Sequence, residues 1–528
     1  MNISALSILR VTCVLIFFIL ICTQSGESAR VLGLFPTRAK SHLIIQMEVI
    51  KTLIDRGHNV TVVTTLPVAK SNRSFHHVKL PEISYPEWVF TSMIEERKGL
   101  MDELKKTSAL MDITINASET SLVDLIKSGF LNEEPFELVV LGYFFNDIFM
   151  GVAAHFKSPL VIIDTHKPLL LTNSMIGNPS EIFYVPNGLL EETQPLSFFG
   201  RVRNALFHIL EIAFTKLYIV KMNNIYGKYF PGDKYPPLSD MFKNVSLILQ
   251  TTHFSEGVIR PEIPALIPIG GIQAKQKPDL LPKELSLILD EATEHGVIYF
   301  SLGTNAKSSD RNPVTIKSIY NVFSKLKQKV IWKWEDGEYP GNASNIFYAK
   351  WLPQDDILAH PHLRLFISHC GLGSIVESKY HGVPVLAIPL FGDQFGNAKA
   401  MVDAGFAVQV NYQGLTEESF EAALKEILEN PSYRENIQRF SRLYRDRPMS
   451  IRDTAAYWLE YVIRHRGSKH MQSPAVHMSA FAYYGLDVIA FLLLIVYIVF
   501  KILSICCCSL ICRCRKSKIG GTHKKKKD

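Results

Sequence analysis

A chain of 528 residues, 47% hydrophobic and 20% charged, is long enough for two or three domains with sizeable cores, which excludes a disordered protein. Its net charge of +7 misleads, because residues 501–528 hold nine Lys/Arg against one acid and leave the preceding 500 residues at −1; the body has no electrostatic case for a nucleic-acid partner. Of eight cysteines only Cys370 lies in the body, so no internal disulfide forms there and the fold must hold by packing.

Residues 1–28 carry Arg10, an apolar run from Val11 to Cys22 and small residues around Gly26 and Ser28. That is the pattern of a cleaved secretory signal, the run being short for an anchoring helix. From Ala29 the pattern reads strand (30–35), loop, helix (42–55), Gly57 and strand (59–65), one βαβ unit. Strand patterns at 136–141, 160–164 and 245–250 alternate with helical stretches, giving a doubly wound first domain over residues 29–264. The helical pattern from Leu196 to about Tyr229, rich in aromatics and leucine, suits either an apolar ligand pocket or ordinary core packing. Residues 33–41 lack the G-x-G-x-x-G turn that a dinucleotide-dependent oxidoreductase needs after its first strand.

Residues 265–284, with glycines and prolines and no periodicity, read as a linker. A second α/β domain, 285–435, opens with a strand ending at Ser301 to Gly303-Thr304 and continues through helix 314–326 and strand 330–334. Its most informative stretch is Trp351 to Asn397. There an apolar strand (363–368) runs into the small-residue turn His369-Cys370-Gly371-Leu372-Gly373-Ser374 and then a helix ending at Gly382. Such a turn aims unpaired N–H groups and a helix N-terminus at one point, an anion site. A second strand (383–388) leads to Gly392-Asp393-Gln394 beside it, at the carboxyl ends where α/β sheets bind ligands.

Beyond lie a helix over 436–466, a membrane-spanning helix over 484–504 and a basic tail, 505–528, on the cytoplasmic side by the positive-inside rule. The chain is thus expected to be a single-pass type I membrane protein. Lys524 to Lys527 before the terminal Asp528 resemble a dilysine retrieval signal of the endoplasmic reticulum, and a plain polybasic run fits the charge equally. Cys506, Cys507, Cys508, Cys512 and Cys514 are acylation candidates. Glycosylation sequons of the mature body stand at Asn72, Asn116, Asn244 and Asn342; a fifth, Asn59, starts a strand read as buried and is expected to stay unmodified.

The stretch from Trp351 resembles the signature of the UDP-glycosyltransferases, with Trp351, Gln354, His369, Gly371, Glu377, Pro384, Asp393 and Gln394 at the family's spacings. The likeness is to the animal membrane-bound members, most of all those of insects. It implies the GT-B fold, two Rossmann-like domains facing a cleft, with the 436–466 helix crossing back to the first. It implies that Trp351 stacks on uracil, that Gln354 bonds base or ribose and that Glu377 bonds ribose. It also implies that His369, Ser374 and the turn from Gly371 to Gly373 hold the diphosphate with Ser301, Gly303 and Thr304 nearby, and that Asp393 and Gln394 bond the transferred sugar.

His42 matches the family's catalytic base and Asp147 its partner carboxylate. Competing structural readings are a core tryptophan for Trp351, a buried histidine for His369, a surface loop for Asp393 and Gln394, a helix-start residue for His42, and an S-x-x-E capping box joining Ser374 to Glu377. Cys370 replaces a second glycine of many animal members, and Gly373 an asparagine common in the family.

The implied activity is inverting transfer of a hexose, glucose preferred, from a UDP-sugar to a hydroxyl of a small lipophilic acceptor. The alternatives are UDP-glucuronate as donor and a non-catalytic protein that sequesters lipophiles. No cofactor is expected beyond the co-substrate; no ligand set suggests a metal. Expected partners are the UDP-sugar, the acceptor and the membrane, with a homo-oligomer left open. The body should lie in the lumen of the endoplasmic reticulum.

Overall fold

The computed structural model describes residues 28–68, 71–82 and 100–520 apart from 189, 191, 257, 305, 306, 309 and 310, with the side chains of 100–104, 107 and 512–520 not described. The expected signal segment and the terminal lysines lie outside the described residues. Two compact units are present, one ending at Gln472 and one starting at Ser473.

The first unit contains two parallel sheets. In the first, β1 (Arg30–Phe35), β2 (Asn59–Thr64), β3 (Phe75–Lys79), β4 (Leu138–Tyr143), β5 (Leu160–Asp164), β6 (Val245–Gln250) and β7 (Leu266–Pro268) stand in the order β3-β2-β1-β4-β5-β6-β7. Among the described residues its neighbouring strands all pair in parallel, from Val31 on Val60 to Gln250 on Pro268. Runs such as Leu138-Val139-Val140-Leu141 suit this, because a parallel strand is buried on both faces and needs no alternation. β7 falls within the stretch expected to be linker; three residues ending in proline carry no strand pattern. The second sheet orders β8 (Val297–Ser301), β9 (Lys329–Lys333), β10 (Ile346–Ala349), β11 (Leu363–Ser368), β12 (Val385–Ala387) and β13 (Ala407–Gln409) as β10-β9-β8-β11-β12-β13.

Helices used below are α1 (Lys40–Asp55), α2 (Leu100–Lys127), α3 (Phe198–Tyr229), α4 (Gln354–Leu358), α5 (Leu372–His381), α6 (Gln394–Asp403), α7 (Ser432–Arg445), α8 (Ile451–His465) and α9 (Leu486–Gly520). The single helix expected over 436–466 is thus two. Pro448, which has no N–H to continue a helix, sits in the break, and Ser450 Oγ restarts the chain by accepting the Asp453 N–H at 3.0 Å. α8 packs on α1 and buries Ala455, Leu459 and Val462 in the first sheet's core. Around that contact Arg452 bonds Glu48 and Asp55, Arg56 bonds Asp453 (3.0 Å) and Glu460 (3.1 Å), and His58 meets Glu460 at 3.3 Å.

α3 is two-faced. Tyr218, Met222, Ile225 and Tyr226 are buried, whereas Phe199, Leu206, Ile209 and Leu217 point outward and are exposed, so only part of its apolar surface faces the interior. Asn72, Asn116 on α2, Asn244 and Asn342 are exposed. So is Asn59, contrary to expectation, because it opens β2 at the sheet's end before burial begins.

In the second unit α9 includes an apolar stretch, Leu486–Ile511, long enough to cross a membrane by length and composition. It runs past the expected end at 504, because Lys501 is accommodated with its ammonium 5.7 Å from the Tyr497 ring centre and the small cysteines Cys506 to Cys508 continue the apolar surface.

The α8–α1 contact should be held by its apolar residues more than by its ion pairs. Leu459→Ala is expected to cost about 2–5 kcal/mol, and Arg452→Ala, whose partners are partly exposed, about 1 kcal/mol or less. Urea denaturation of the two variants beside the parent measures both.

Candidate functional site

Strand order reverses once in each sheet, between β1 and β4 in the first and between β8 and β11 in the second. At such a point the connections leave to opposite faces and open a crevice at the carboxyl ends of the strands. The expected site residues gather at these two crevices. β1 leads into α1 and His42, and β4 into residues 144–147; β8 ends at Ser301, and β11 at the turn from His369.

In the second crevice the β11 turn is built around the His369 ring. Its neighbours are Gly303, with φ +88°, and Gly371; a Cβ on either would stand 2.5 Å from the ring. Glycine is required at both, and this close approach draws the β8 and β11 turns together. Ser301 Oγ accepts the Gly303 N–H at 3.2 Å, and Thr304 is half-buried in the same turn. Burial, then the nearby Lys333, lowers the His369 pKa to about 4. It is a neutral imidazole at physiological pH, able to offer hydrogen bonds and not charge. Its Nδ1 is buried without a hydrogen-bond partner among the described residues.

Cys370 takes the left-handed conformation, φ +62°, that passes the strand into the helix. Its buried thiol is pushed up in pKa by burial and then by Asp393, which makes it an inert packed residue and not a reactive thiol. Gly371 is the N-cap of α5, and the first-turn N–H groups beside Gly373 and Ser374 lack helical acceptors. A Cβ on Gly373 would meet nothing within 4 Å, so the family's asparagine is replaced by open space.

This placement removes the capping-box reading. The cap is Gly371, three residues before Ser374, so Ser374 and Glu377 lie inside the helix. Gln354, at the start of α4, bonds both instead: its Nε2 donates to Ser374 Oγ at 3.1 Å and to Glu377 Oε2 at 2.7 Å, and its Oε1 accepts from the Tyr299 hydroxyl at 3.3 Å. Trp351 is 55% exposed, which rules out a core tryptophan. Lys333 Nζ lies 5.8 Å from its ring centre and Lys40 Nζ, from the start of α1, lies 5.2 Å from it.

Asp393 caps α6 and accepts from Asn397 Nδ2 at 2.8 Å; the same amide nitrogen donates to the Cys370 carbonyl at 3.1 Å, tying this loop to the β11 turn. Gln394 is not a surface-loop residue. It is buried, and its Oε1 accepts the N–H groups of Leu390 (2.8 Å) and Phe391 (3.1 Å), so the oxygen holds the loop.

In the first crevice His42 and Asp147 are not joined by a hydrogen bond. Among the described residues His42 Nδ1 and Asp147 Oδ1 are both buried without a hydrogen-bond partner, while Asp147 Oδ2 accepts a short hydrogen bond from the Tyr218 hydroxyl of α3. The cause is the turn after β4. Phe145 has φ +50°, which sets Phe144 beside His42, ring centres 5.6 Å apart, and turns Asp147 into the core. Burial lifts the Asp147 pKa to about 6. Burial, then His166, depresses that of His42 to about 3.

Several site residues escaped sequence reasoning. Lys333 donates to the Gly303 carbonyl and bonds Glu335 Oε1 at 3.1 Å; a lysine inside the apolar run Val330 to Trp334 was its signal. His166 and Asp164 sit at the carboxyl end of β5, a strand that the pattern had placed. Gln46, one turn beyond His42, is buried with both amide atoms unpartnered among the described residues, and nothing but its helical phase marked it.

The family model for UDP-glucoronosyl and UDP-glucosyl transferases matches residues 30–521. The chain is 34% identical over 495 residues to UDP-glucosyltransferase 2 of Dactylopius coccus, covering 92% of this chain and 93% of that one. It is 31% identical over 505 residues to human UDP-glucuronosyltransferase 1A8, covering 92% and 93%. A solved Polygonum tinctorium UDP-glucosyltransferase, described as capable of glucosylating indoxyl, aligns over 83% of this chain and 99% of its own with a TM-score of 0.55 and 18% identity. That likeness shows the fold, the two-domain GT-B arrangement.

Glu377 provides a pH test. Burial, then Asp355, raises its carboxyl from 4.5 to about 8, against the Gln354 hydrogen bond. A carboxyl with a raised folded pKa binds its proton more tightly in the folded state. Its stabilising contribution is full below the unfolded value and is lost as pH rises toward about 8. Glu377→Gln should therefore gain on the parent in urea midpoint as pH rises from about 5 to about 8; a constant gap would contradict this.

Proposed function

The chain belongs to the UDP-glucuronosyl and UDP-glucosyl transferase family and is a sugar-transferring enzyme, and we propose that it moves glucose from UDP-glucose to a hydroxyl of a small lipophilic acceptor with inversion. The observation that carries this reading is the approach of the two crevices. Lys40, two residues before His42, lies over the Trp351 ring, so the residue read as base and the residue read as uracil platform belong to one cleft.

In this mechanism uracil stacks on Trp351, Glu377 and Gln354 meet ribose or base, and Asp393 with the Gln394 amide meets the sugar hydroxyls. His42 faces the acceptor through Nε2 and removes its proton while the oxygen attacks the anomeric carbon. The departing diphosphate gains charge at the α5 N-terminus, where the first-turn N–H groups, Ser374 and the neutral His369 supply hydrogen bonds. An exposed apolar α9 is in keeping with an enzyme anchored in the endoplasmic-reticulum membrane, and we infer a type I arrangement with the body in the lumen.

General-base catalysis contributes about 10²–10⁴-fold, so His42→Ala should lower the transfer rate by that order with UDP affinity retained. Transfer to a phenol and sterol panel, beside UDP binding, measures both; a variant at the parent rate would remove His42 from the role.

A second reading, UDP-glucuronate as donor, is favoured by Lys167. Burial lowers its pKa, opposed first by the charge of Asp393, and its Nζ lies beside Gly396 of α6, the helix that starts at Asp393. It thus offers a cation next to the residue read as holding the sugar. If glucuronate is the donor, Lys167→Met should cut kcat/KM for it by about tenfold to a hundredfold, the worth of a hydrogen bond to a charged group. If glucose is the donor, the same change should leave kcat/KM for UDP-glucose within about threefold.

A further inference from the structure

Asp164, the last residue of β5, is fully buried. Its Oδ1 accepts the His166 backbone N–H at 3.0 Å and stands 3.3 Å from Nδ1 of the same residue. Its Oδ2 has no hydrogen-bond partner among the described residues. Phe144 stacks on the His166 ring, centres 4.9 Å apart and planes 13° apart, and holds its other side. Against this fixed ring lies His42, edge-on, with centres 4.8 Å apart and an angle of 82°. His42 Nδ1 is buried and has no hydrogen-bond partner among the described residues. A ring held by a carboxylate is thus packed against the ring read as the base.

We propose that Asp164, acting through His166, is the carboxylate that supports His42 during proton transfer, in the place that sequence reasoning gave to Asp147. The proposal rests on the reading of His42 as base. As the acceptor attacks, its O–H bond breaks and the proton goes to His42 Nε2. The oxygen's electron pair forms the bond to the anomeric carbon, and the bond from that carbon to the UDP oxygen breaks with its pair staying on the phosphate.

The charge left on His42 arises where water is excluded, which is costly unless a fixed dipole meets it. To support and not repel the cation, His166 must act as the tautomer with its proton on Nδ1, turned to Asp164. It keeps an electron-rich face and a lone pair on Nε2 to offer the cation, polarised by the carboxylate behind it. Asp147 makes no hydrogen bond to His42, and Tyr218 occupies one of its oxygens. Asp164 and His166 touch no reacting atom, so both are positioning residues.

The test uses the full-length chain in membranes, with kcat and KM for the UDP-sugar measured separately for His166→Gln, Asp164→Asn, Asp147→Asn, His42→Ala and the double variant His42→Ala/His166→Gln. UDP-induced thermal stabilisation reports that each is folded and holds the nucleotide. His166→Gln and Asp164→Asn should each lower kcat by about tenfold or more with KM within about twofold. Asp147→Asn, which keeps an acceptor for Tyr218, should stay within about threefold of the parent.

The double variant should be no slower than His42→Ala, since a support has nothing to act on once the base is gone. Parent-like kcat in both His166→Gln and Asp164→Asn, beside a slow His42→Ala, would overturn the proposal and leave the base intact. So would losses that multiply in the double variant. A His42→Ala enzyme at the parent rate would instead remove the base reading itself.

Discussion

The reversal of strand order in each parallel sheet is the constraint on which the site depends. A parallel strand must be entered by a crossover, and where successive crossovers leave to opposite faces the sheet's carboxyl edge is left uncovered. The chain uses both such places. The β1/β4 reversal presents His42, Phe144 and, from the neighbouring β5, His166. The β8/β11 reversal presents Ser301, Gly303, His369 and the α5 N-terminus. Neither group lies together in sequence; each is assembled by strand order.

Desolvation then decides what these residues can do. His42 and His369 are both held neutral by burial, so neither holds a phosphate by charge. Positive charge comes from elsewhere: the α5 N-terminus, Lys333 under the β8 turn and Lys40 over Trp351. A neutral histidine is free to take a proton, but one so strongly depressed is a weak base until its cation is stabilised. The groups packed on His42 therefore matter as much as His42 itself.

What the sequence could reveal followed from where the physics is local. Continuous Val/Ile/Leu runs announced the parallel strands, and the small-residue turn after Ser368 announced a helix N-terminus, because both depend on neighbours in the chain. The resemblance supplied Trp351, Gln354 and Glu377. Two kinds of feature were not legible. Short elements such as β7 carry too few residues to show a period, and the sheet supplies their hydrogen bonds. Side-chain pairings across the crevice depend on backbone turns that no spacing reports. The turn after β4 has a positive φ at Phe145, His42 and Asp147 share no hydrogen bond, and the His166 ring packs against His42. The capping box failed for a related reason, since a helix starting three residues earlier turns Ser374 and Glu377 from a cap into partners of Gln354.

The far end of the chain bears on the same geometry. α1 carries His42 in its first turn, and its other residues are gripped by α8, through buried Leu459 and Val462 and through Arg452 on Glu48 and Asp55. α8 follows α7, which packs on α5, the helix whose N-terminus is read as the phosphate site. Five residues, 446–450, join the two. The chain thus fastens the helix behind the base and the helix behind the leaving group to two consecutive helices. A displacement of α8 relative to α7 would change the distance between His42 and the β11 turn directly. In a reaction that needs base, acceptor and leaving group in line, a shift of about an ångström is costly. On the proposed reading of His42 and the β11 turn, the α7–α8 connection is therefore part of the reaction geometry although it lies outside both crevices.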